Sequence, residues 1–155
     1  MTIVRIDELT LAPGARLLGL DLGEKTIGIA LSDTRLTVAT PMQTLRRGKF
    51  SADADKLATI VTEQAVGGIV IGLPVNMDGS DSAAAQSARA FGRNLASRLA
   101  LPIVFWDERL STVAVTRALI EADASRRKRS QVVDKVAAAY ILQGALERLR
   151  AMRGE

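Results

Sequence analysis

Between Leu17 and Asp33 the chain can do little other than fold into two antiparallel strands. Leu17, Leu18, Leu20 and Leu22 form a short apolar run, and Ile27, Ile29 and Leu31 alternate at the strand period. Only Gly23-Glu24-Lys25-Thr26 separates them, and a connection that short requires antiparallel pairing. Gly23 is expected to serve the turn by taking a positive φ. Asp21 does not fit this apolar pattern. A carboxylate inside an apolar strand is costly unless a cation or hydrogen-bond donors compensate it. Asp21 therefore either caps the turn or serves as a metal ligand or catalytic carboxylate.

The rest of the chain surrounds that hairpin with an α/β pattern. Met1 to Ala15, with Pro13-Gly14, reads as an N-terminal extension, and residues 1–155 read as a single domain. Leu36–Leu45 is expected to be a third strand, with Pro41 confining it to an edge or a bulge. Arg46-Arg47-Gly48-Lys49 forms a basic turn, and Ser51 is expected to cap a helix from about Ala52 to Gln64 whose apolar stripe is Leu57, Ile60 and Val61. Gly67-Gly68 should end that helix. The continuous apolar run Ile69-Val70-Ile71 suits a strand buried on both faces. A loop through Asp78-Gly79-Ser80 leads to a long helix from about Ser82 to Leu99, followed by the strand Ile103-Val104-Phe105-Trp106. Helices are expected over about Ser111–Ala122 and, after the basic run Arg126-Arg127-Lys128-Arg129, over Gln131–Arg150 with Ser130 at its N-cap. The order is βββαβαβαα, which predicts a five-stranded mixed sheet flanked by helices.

The composition limits the chemistry. Among 155 residues there is no cysteine and no histidine, which excludes thiolate and imidazole metal sites, disulfides, and Ser-His-Asp catalysis. Catalysis would have to rest on carboxylates, lysine, hydroxyls, or a cation held by oxygen, and oxygen-only sites favour Mg²⁺ or Mn²⁺. A net charge of +4 points to an anionic partner. Aromatic residues are 3% of the chain, too few to build a stacking platform for single strands. No apolar run has the length of a membrane span and the N-terminus lacks the order of a signal peptide, so a cytoplasmic location is expected.

Three acidic positions fall at the ends of elements. Asp21 closes the first strand. Asp107-Glu108 closes the last strand, where one of the two adjacent acids should face the site and the other away. Asp134 lies early in the final helix, at the border of an apolar face made by Val133, Val136, Ala137, Tyr140, Ile141 and Ala145. The small run Ala137-Ala138-Ala139 should let this helix approach the sheet. For Asp107-Glu108 and Asp134 the plain alternative is an acid countering the helix dipole. If the three converge, they need cations to stay ionised together. Two divalent ions about 3.5–4 Å apart would suit hydrolysis of a phosphodiester. Neighbouring Lys and Arg residues would then hold the polyanionic backbone.

Four segments in this order carry a resemblance. Gly19-Leu20-Asp21-Leu22-Gly23 with Ile27-Gly28-Ile29-Ala30, Ile71-Gly72-Leu73-Pro74 with Asp78-Gly79-Ser80, Asp107-Glu108-Arg109-Leu110-Ser111-Thr112, and Val133-Asp134-Lys135-Val136-Ala137-Ala138 resemble the YqgF/RuvX family. Its members are described as Holliday-junction resolvases and as pre-16S rRNA nucleases. The resemblance, from about Leu17 to Glu147, implies an RNase H-like fold and a metal-dependent endonuclease acting on structured nucleic acid. It implies processing of the pre-16S rRNA 5′ end in ribosome biogenesis or, alternatively, resolution of branched DNA, for which a homodimer would suit two symmetric cuts. It carries over Asp21, Glu108 and Asp134 as catalytic and metal-binding positions, and leaves Asp107 and Asp33 as candidates for a fourth carboxylate. Arg109 would orient Glu108 or clamp the scissile phosphate. Lys25, Arg126, Arg127, Lys128 and Arg129 would contact the backbone, and the loop at Ser80 could offer amides to another phosphate, unless Ser80 is simply an N-cap. Two rivals remain. One is an actin-like phosphate loop at Asp21-Leu22-Gly23-Glu24-Lys25-Thr26, which would need a second domain. The other is a non-catalytic nucleic-acid-binding module.

Overall fold

The hairpin forms as its pattern requires. Strand β1 (Arg16–Leu22) pairs antiparallel with β2 (Thr26–Ser32), with Leu20 opposite Ile29 and Asp21 opposite Gly28. The computed structural model describes residues 3–110 and 126–154, the side chains of 126–133 excepted. Gly23 is not among the positive-φ residues. Its amide donates to the Thr26 carbonyl at 2.8 Å, and a Cβ there would lie 3.1 Å from that oxygen. Close approach across the turn, rather than backbone handedness, is what selects glycine.

Strand β3 (Ala39–Arg46) lies on the sheet edge, and Pro41 sits opposite Ala30 at a register shift, the edge-and-bulge position its missing N–H demands. The strand starts later than Leu36. Asp33 accepts the amides of Thr37 and Val38 and folds a turn in which Leu36 takes φ 58° and buries its side chain. Helix α1 (Phe50–Glu63) has Lys49 at its N-cap, so Ser51 lies inside the first turn and does not cap it. The buried Asp53 carboxylate reaches back to the residue before the N-cap and accepts the Gly48 amide, at 3.2 Å to each oxygen.

Gly67 and Gly68 do not end α1. They lie in β4 (Val66–Leu73), where a Cβ would sit 2.7 Å from that of Ala15 and 2.9 Å from Leu17 Cδ2, and Ala65, at φ 52°, turns the chain into the strand. Strand β4 pairs parallel with β1 and with β5 (Ile103–Asp107), giving the order β3-β2-β1-β4-β5. Helix α2 (Ala83–Arg98) is capped by Ser82, whose Oγ accepts the Ala85 amide at 3.0 Å; Ser80 is not its cap. Helix α3 (Arg126–Met152) begins at the basic run rather than at Gln131, because arginine and lysine are strong helix formers and extend it past Ser130. The helix expected over Ser111–Ala122 lies outside the described residues.

The sheet divides two apolar layers. Leu18, Leu20, Ile69 and Ile71 pack with Leu57 and Ile60 of α1 and Phe91 and Leu95 of α2. Leu17, Val70 and Trp106 pack with Ala138, Ile141, Leu142 and Leu149 of α3. Strand β4 is therefore covered on both sides, as its unbroken apolar run predicts. The N-terminal extension also takes part, since Ile3 bridges Ile103 and the Val4 amide donates to the Ile103 carbonyl at 2.9 Å. Among the described residues no helix is long and apolar enough to cross a membrane.

Candidate active site

Strand pairing lines up one row of residues across the sheet. Thr44 of β3 faces Gly28 of β2, Gly28 faces Asp21 of β1, and Gly72 of β4 faces Trp106 of β5. Leu20 pairs with Ile71, so Asp21 and Gly72 stand side by side one step further along. Alternation puts Asp21 on the same side as Leu17 and Gly19, the face covered by α3. Asp21 thus has a glycine on each flank.

Those glycines make room for the other two acids. A Cβ on Gly28 would lie 2.0 Å from the main-chain oxygen of Asp134, and one on Gly72 would lie 3.2 Å from Glu108 Oε2 and 2.5 Å from Ile141 Cδ1. Two residues before Asp21, a Cβ on Gly19 would lie 2.8 Å from Leu142 Cβ. The sheet is bare along this strip, and α3 lies down on it with Ala138 fully buried, as the small-residue run predicts. Asp21 is buried at 5% exposure, while Glu108 and Asp134 are half-buried. The Thr26 hydroxyl donates to Asp134 Oδ2. Thr26, Gly28 and Gly72 stand in the motifs read from the sequence but carried no place beside the acids there, since that place depends on pairing across strands.

The three acids therefore border one strip of sheet. Among the described residues no three acidic side chains stand grouped as a ready metal-holding set.

The remaining candidates separate by position. Asp107 is bound to Arg109, with Nη2 to Oδ2 at 2.6 Å and Nε to Oδ1 at 3.1 Å, and the Arg109 amide reaches Oδ1 at 2.9 Å. That guanidinium hydrogen bond holds the Asp107 carboxyl below its ordinary pKa, and Asp107 in turn raises that of Arg109. Arg109 also donates from Nη1 to the Met77 carbonyl at 3.1 Å, so it ties β5 to the loop after β4. Asp33 cannot be a fourth carboxylate. It follows β2 at the opposite end from Gly28, and five residues of strand separate the two levels by roughly 16 Å. Its oxygens serve Thr37 and Val38.

Lys25 is exposed at the hairpin turn, and its carbonyl accepts the Arg47 amide at 2.8 Å. Arg47 also donates to the Gly23 carbonyl at 2.7 Å and lies over the Phe91 ring, which makes it a brace for the turn next to Asp21. Arg126, Arg127, Lys128 and Arg129 form the first turn of α3. Ser80 bonds to Asp78, its amide at 2.9 Å and its hydroxyl at 2.6 Å, which lowers the Asp78 pKa.

Residues 15–148, a span that includes all three acids, match the family model for RuvX, described as Holliday junction resolvase. The chain belongs to the RuvX family. Among its relatives, a protein of Roseobacter denitrificans named "Putative pre-16S rRNA nuclease" is 59% identical over 96% of this chain and 93% of its own length. A protein of the same name from Rhodobacter capsulatus is 61% identical over 86% of this chain and 84% of its own. The RuvX chain also superposes on Thermus thermophilus RuvC in complex with Holliday junction substrate, with TM-score 0.55 and 11% identity over 90% of this chain and 96% of that one. The yeast mitochondrial Holliday junction resolvase Ydc2 gives TM-score 0.51 and 14% identity over 96% and 85%. At such identities the likeness establishes the shared RNase H-like fold.

Proposed function

We propose that this chain is a single-domain, divalent-cation-dependent endonuclease that cuts phosphodiester bonds in structured RNA, acting on the precursor of 16S rRNA. The observation that carries the reading is the buried Asp21 held between two glycines, with Glu108 folded over one and the Asp134 backbone over the other. A buried acid with two further acids at its borders, and no cysteine or histidine anywhere in the chain, makes an all-oxygen donor set. Such a set fits Mg²⁺ or Mn²⁺, and the missing side chains of Gly28 and Gly72 let the Asp134 backbone and the Glu108 carboxylate come close to the sheet on either side of Asp21. The names of the relatives supply the RNA substrate.

When bound, a divalent cation activates water and stabilises charge on the leaving oxygen of a phosphodiester. The chain's own residues set the geometry. Asp21, fixed in the middle of a five-stranded sheet, provides the rigid centre. Glu108, on the single helical turn after β5, and Asp134, oriented by the Thr26 hydroxyl, close on it from either side. Lys25 beside the site and the basic first turn of α3 hold the substrate backbone.

A second reading, resolution of branched DNA, draws on the description of the family itself and would want a homodimer to place two such sites on symmetric strands. Cleavage of a pre-16S stem and of a four-way DNA junction, measured side by side with and without Mn²⁺, tests both. RNA cleavage that needs Mn²⁺ and disappears in a folded Asp21→Ala variant is the expected result. Undiminished cleavage by that variant would overturn the assignment.

A further inference from the structure

The loop that follows β4 is unusually well tied for a surface connection. The Asn76 amide donates to the Ser80 carbonyl and the Gly79 amide to the Asn76 carbonyl, both at 2.8 Å, with Gly79 at φ 89°. Asn76 Nδ2 reaches Ser80 Oγ at 3.0 Å, Asp78 accepts from Ser80, and the Ser82 hydroxyl donates to the Pro74 carbonyl at 2.5 Å. Arg109 adds a charged bond from outside the loop to the Met77 carbonyl. The backbone under Met77 is thereby fixed, yet its side chain is 87% exposed, the most exposed large apolar side chain among the described residues. Leu110, adjacent to the Arg109 that holds the loop, is next at 67%.

A single exposed apolar side chain is ordinary on a mobile loop. Here the loop is tied by backbone and side-chain hydrogen bonds, and it stands at the end of the sheet where Glu108 emerges, one residue before Arg109. The chain has no aromatic ring to offer at this place. Phe50 packs edge-on to Phe91, Phe105 lies under Arg89, Trp106 is buried, and Tyr140 lines a groove between α3 and β3. Methionine is flexible in shape and polarisable, and apolar side chains of this kind wedge between base steps and unstack them.

We infer that Met77 is a substrate-positioning wedge, which inserts against the bases at the end of a nucleic-acid helix and opens them so that the adjoining phosphate reaches Asp21. The inference rests on the nuclease reading above. It predicts that the need for Met77 depends on whether the substrate must be opened. The test compares wild type, Met77→Ala and Met77→Leu on an RNA stem–loop and a DNA junction, each in a fully paired form and in a form already mismatched at the branch.

Met77→Ala should slow cleavage of the paired form by about tenfold, the size of one lost apolar contact to a base, and restore nearly normal rates on the mismatched form. Met77→Leu should behave as wild type on both, and the unfolding curves of all three should coincide because the side chain is solvent-exposed. Equal slowing on both forms, or slowing on neither, overturns the wedge and leaves the nuclease reading standing. If wild type cuts neither RNA nor DNA, the nuclease reading fails and the wedge falls with it. The substrate on which the difference appears identifies which nucleic acid the wedge serves.

Discussion

Thr26 on β2 donates its hydroxyl to the carboxylate of Asp134 on α3, joining residues 108 positions apart. The contact fixes the orientation of an acid that would otherwise sit on the first half of a long helix with rotational freedom. Partners of this kind tune a ligand without touching the ion, and their loss typically weakens metal affinity by about 10–100-fold. Thr26→Val keeps the branched shape and removes the donor. The Mn²⁺ concentration that half-activates cleavage should rise within that range, while Thr26→Ser should stay close to wild type. Unchanged metal dependence in the valine variant would show that Asp134 does not need this orientation.

The two glycines beside Asp21 differ in what they protect. A Cβ on Gly28 meets a backbone oxygen at 2.0 Å, and α3 as a whole must move to relieve it. A Cβ on Gly72 meets the tip of Ile141 at 2.5 Å, a side chain that can rotate away. Gly28→Ala should therefore cost about 3 kcal/mol or more, the upper end of overpacking, and Gly72→Ala only about 1 kcal/mol. Urea denaturation of the two variants measures both values. Equal costs, or the reverse order, would mean that α3 does not lie as close to β2 as described.

Much of this arrangement was legible in the residues. A short apolar run gave β1, alternating apolar positions gave β2, the continuous run Ile69-Val70-Ile71 gave the doubly covered β4, and Pro41 gave the edge and bulge of β3. The small residues Ala137 to Ala139 announced a helix pressed onto a sheet. Local signals failed where a distant contact took over. Gly67 and Gly68 look like a helix stop but are spent on packing against Ala15 and Leu17. Ser51 resembles a cap, yet the helix already starts at Phe50 and no side chain caps it. The candidate site followed the same rule. Its acids stood out as charges at element ends, whereas Gly28, Gly72 and Thr26 acquire meaning only once the register sets them beside Asp21 and Asp134. Asp33 could have been set aside from sequence, because a hairpin turning at Gly23–Thr26 already places it at the end of β2 away from Asp21.

Asp33 gives a pH test of the turn before β3. The Thr37 hydroxyl at 2.5 Å, aided by the Thr37 and Val38 amides, lowers its pKa from 3.8 to about 2. A carboxyl whose pKa is lowered by folding contributes stability that is complete above its unfolded value and is lost as pH falls toward the folded one. The difference in urea midpoint between wild type and Asp33→Asn should therefore be constant at neutral pH and shrink between roughly pH 4 and pH 2. The difference should also be modest, because the group is partly exposed and solvent screens it. A gap that widens on acidification would contradict the assignment of its partners.

Arg109 can act on the loop or on the substrate, and the two roles separate experimentally. It spans Asp107 and the Met77 carbonyl with a planar fork that lysine cannot reproduce. Its ion pair is partly solvent-exposed, so Arg109→Lys should cost only about 1 kcal/mol in global stability. The loop bonds it supports, from Gly79 to Asn76 and from Asn76 to Ser80, should nevertheless open more often, and the amides of Gly79 and Asn76 should exchange hydrogen faster in the variant. If Arg109 instead serves chiefly to clamp a phosphate, those exchange rates will not change while KM for cleavage rises. Faster exchange at these two amides together with slower cleavage is the expected outcome, because each nitrogen of the fork already donates to Asp107 or to the loop.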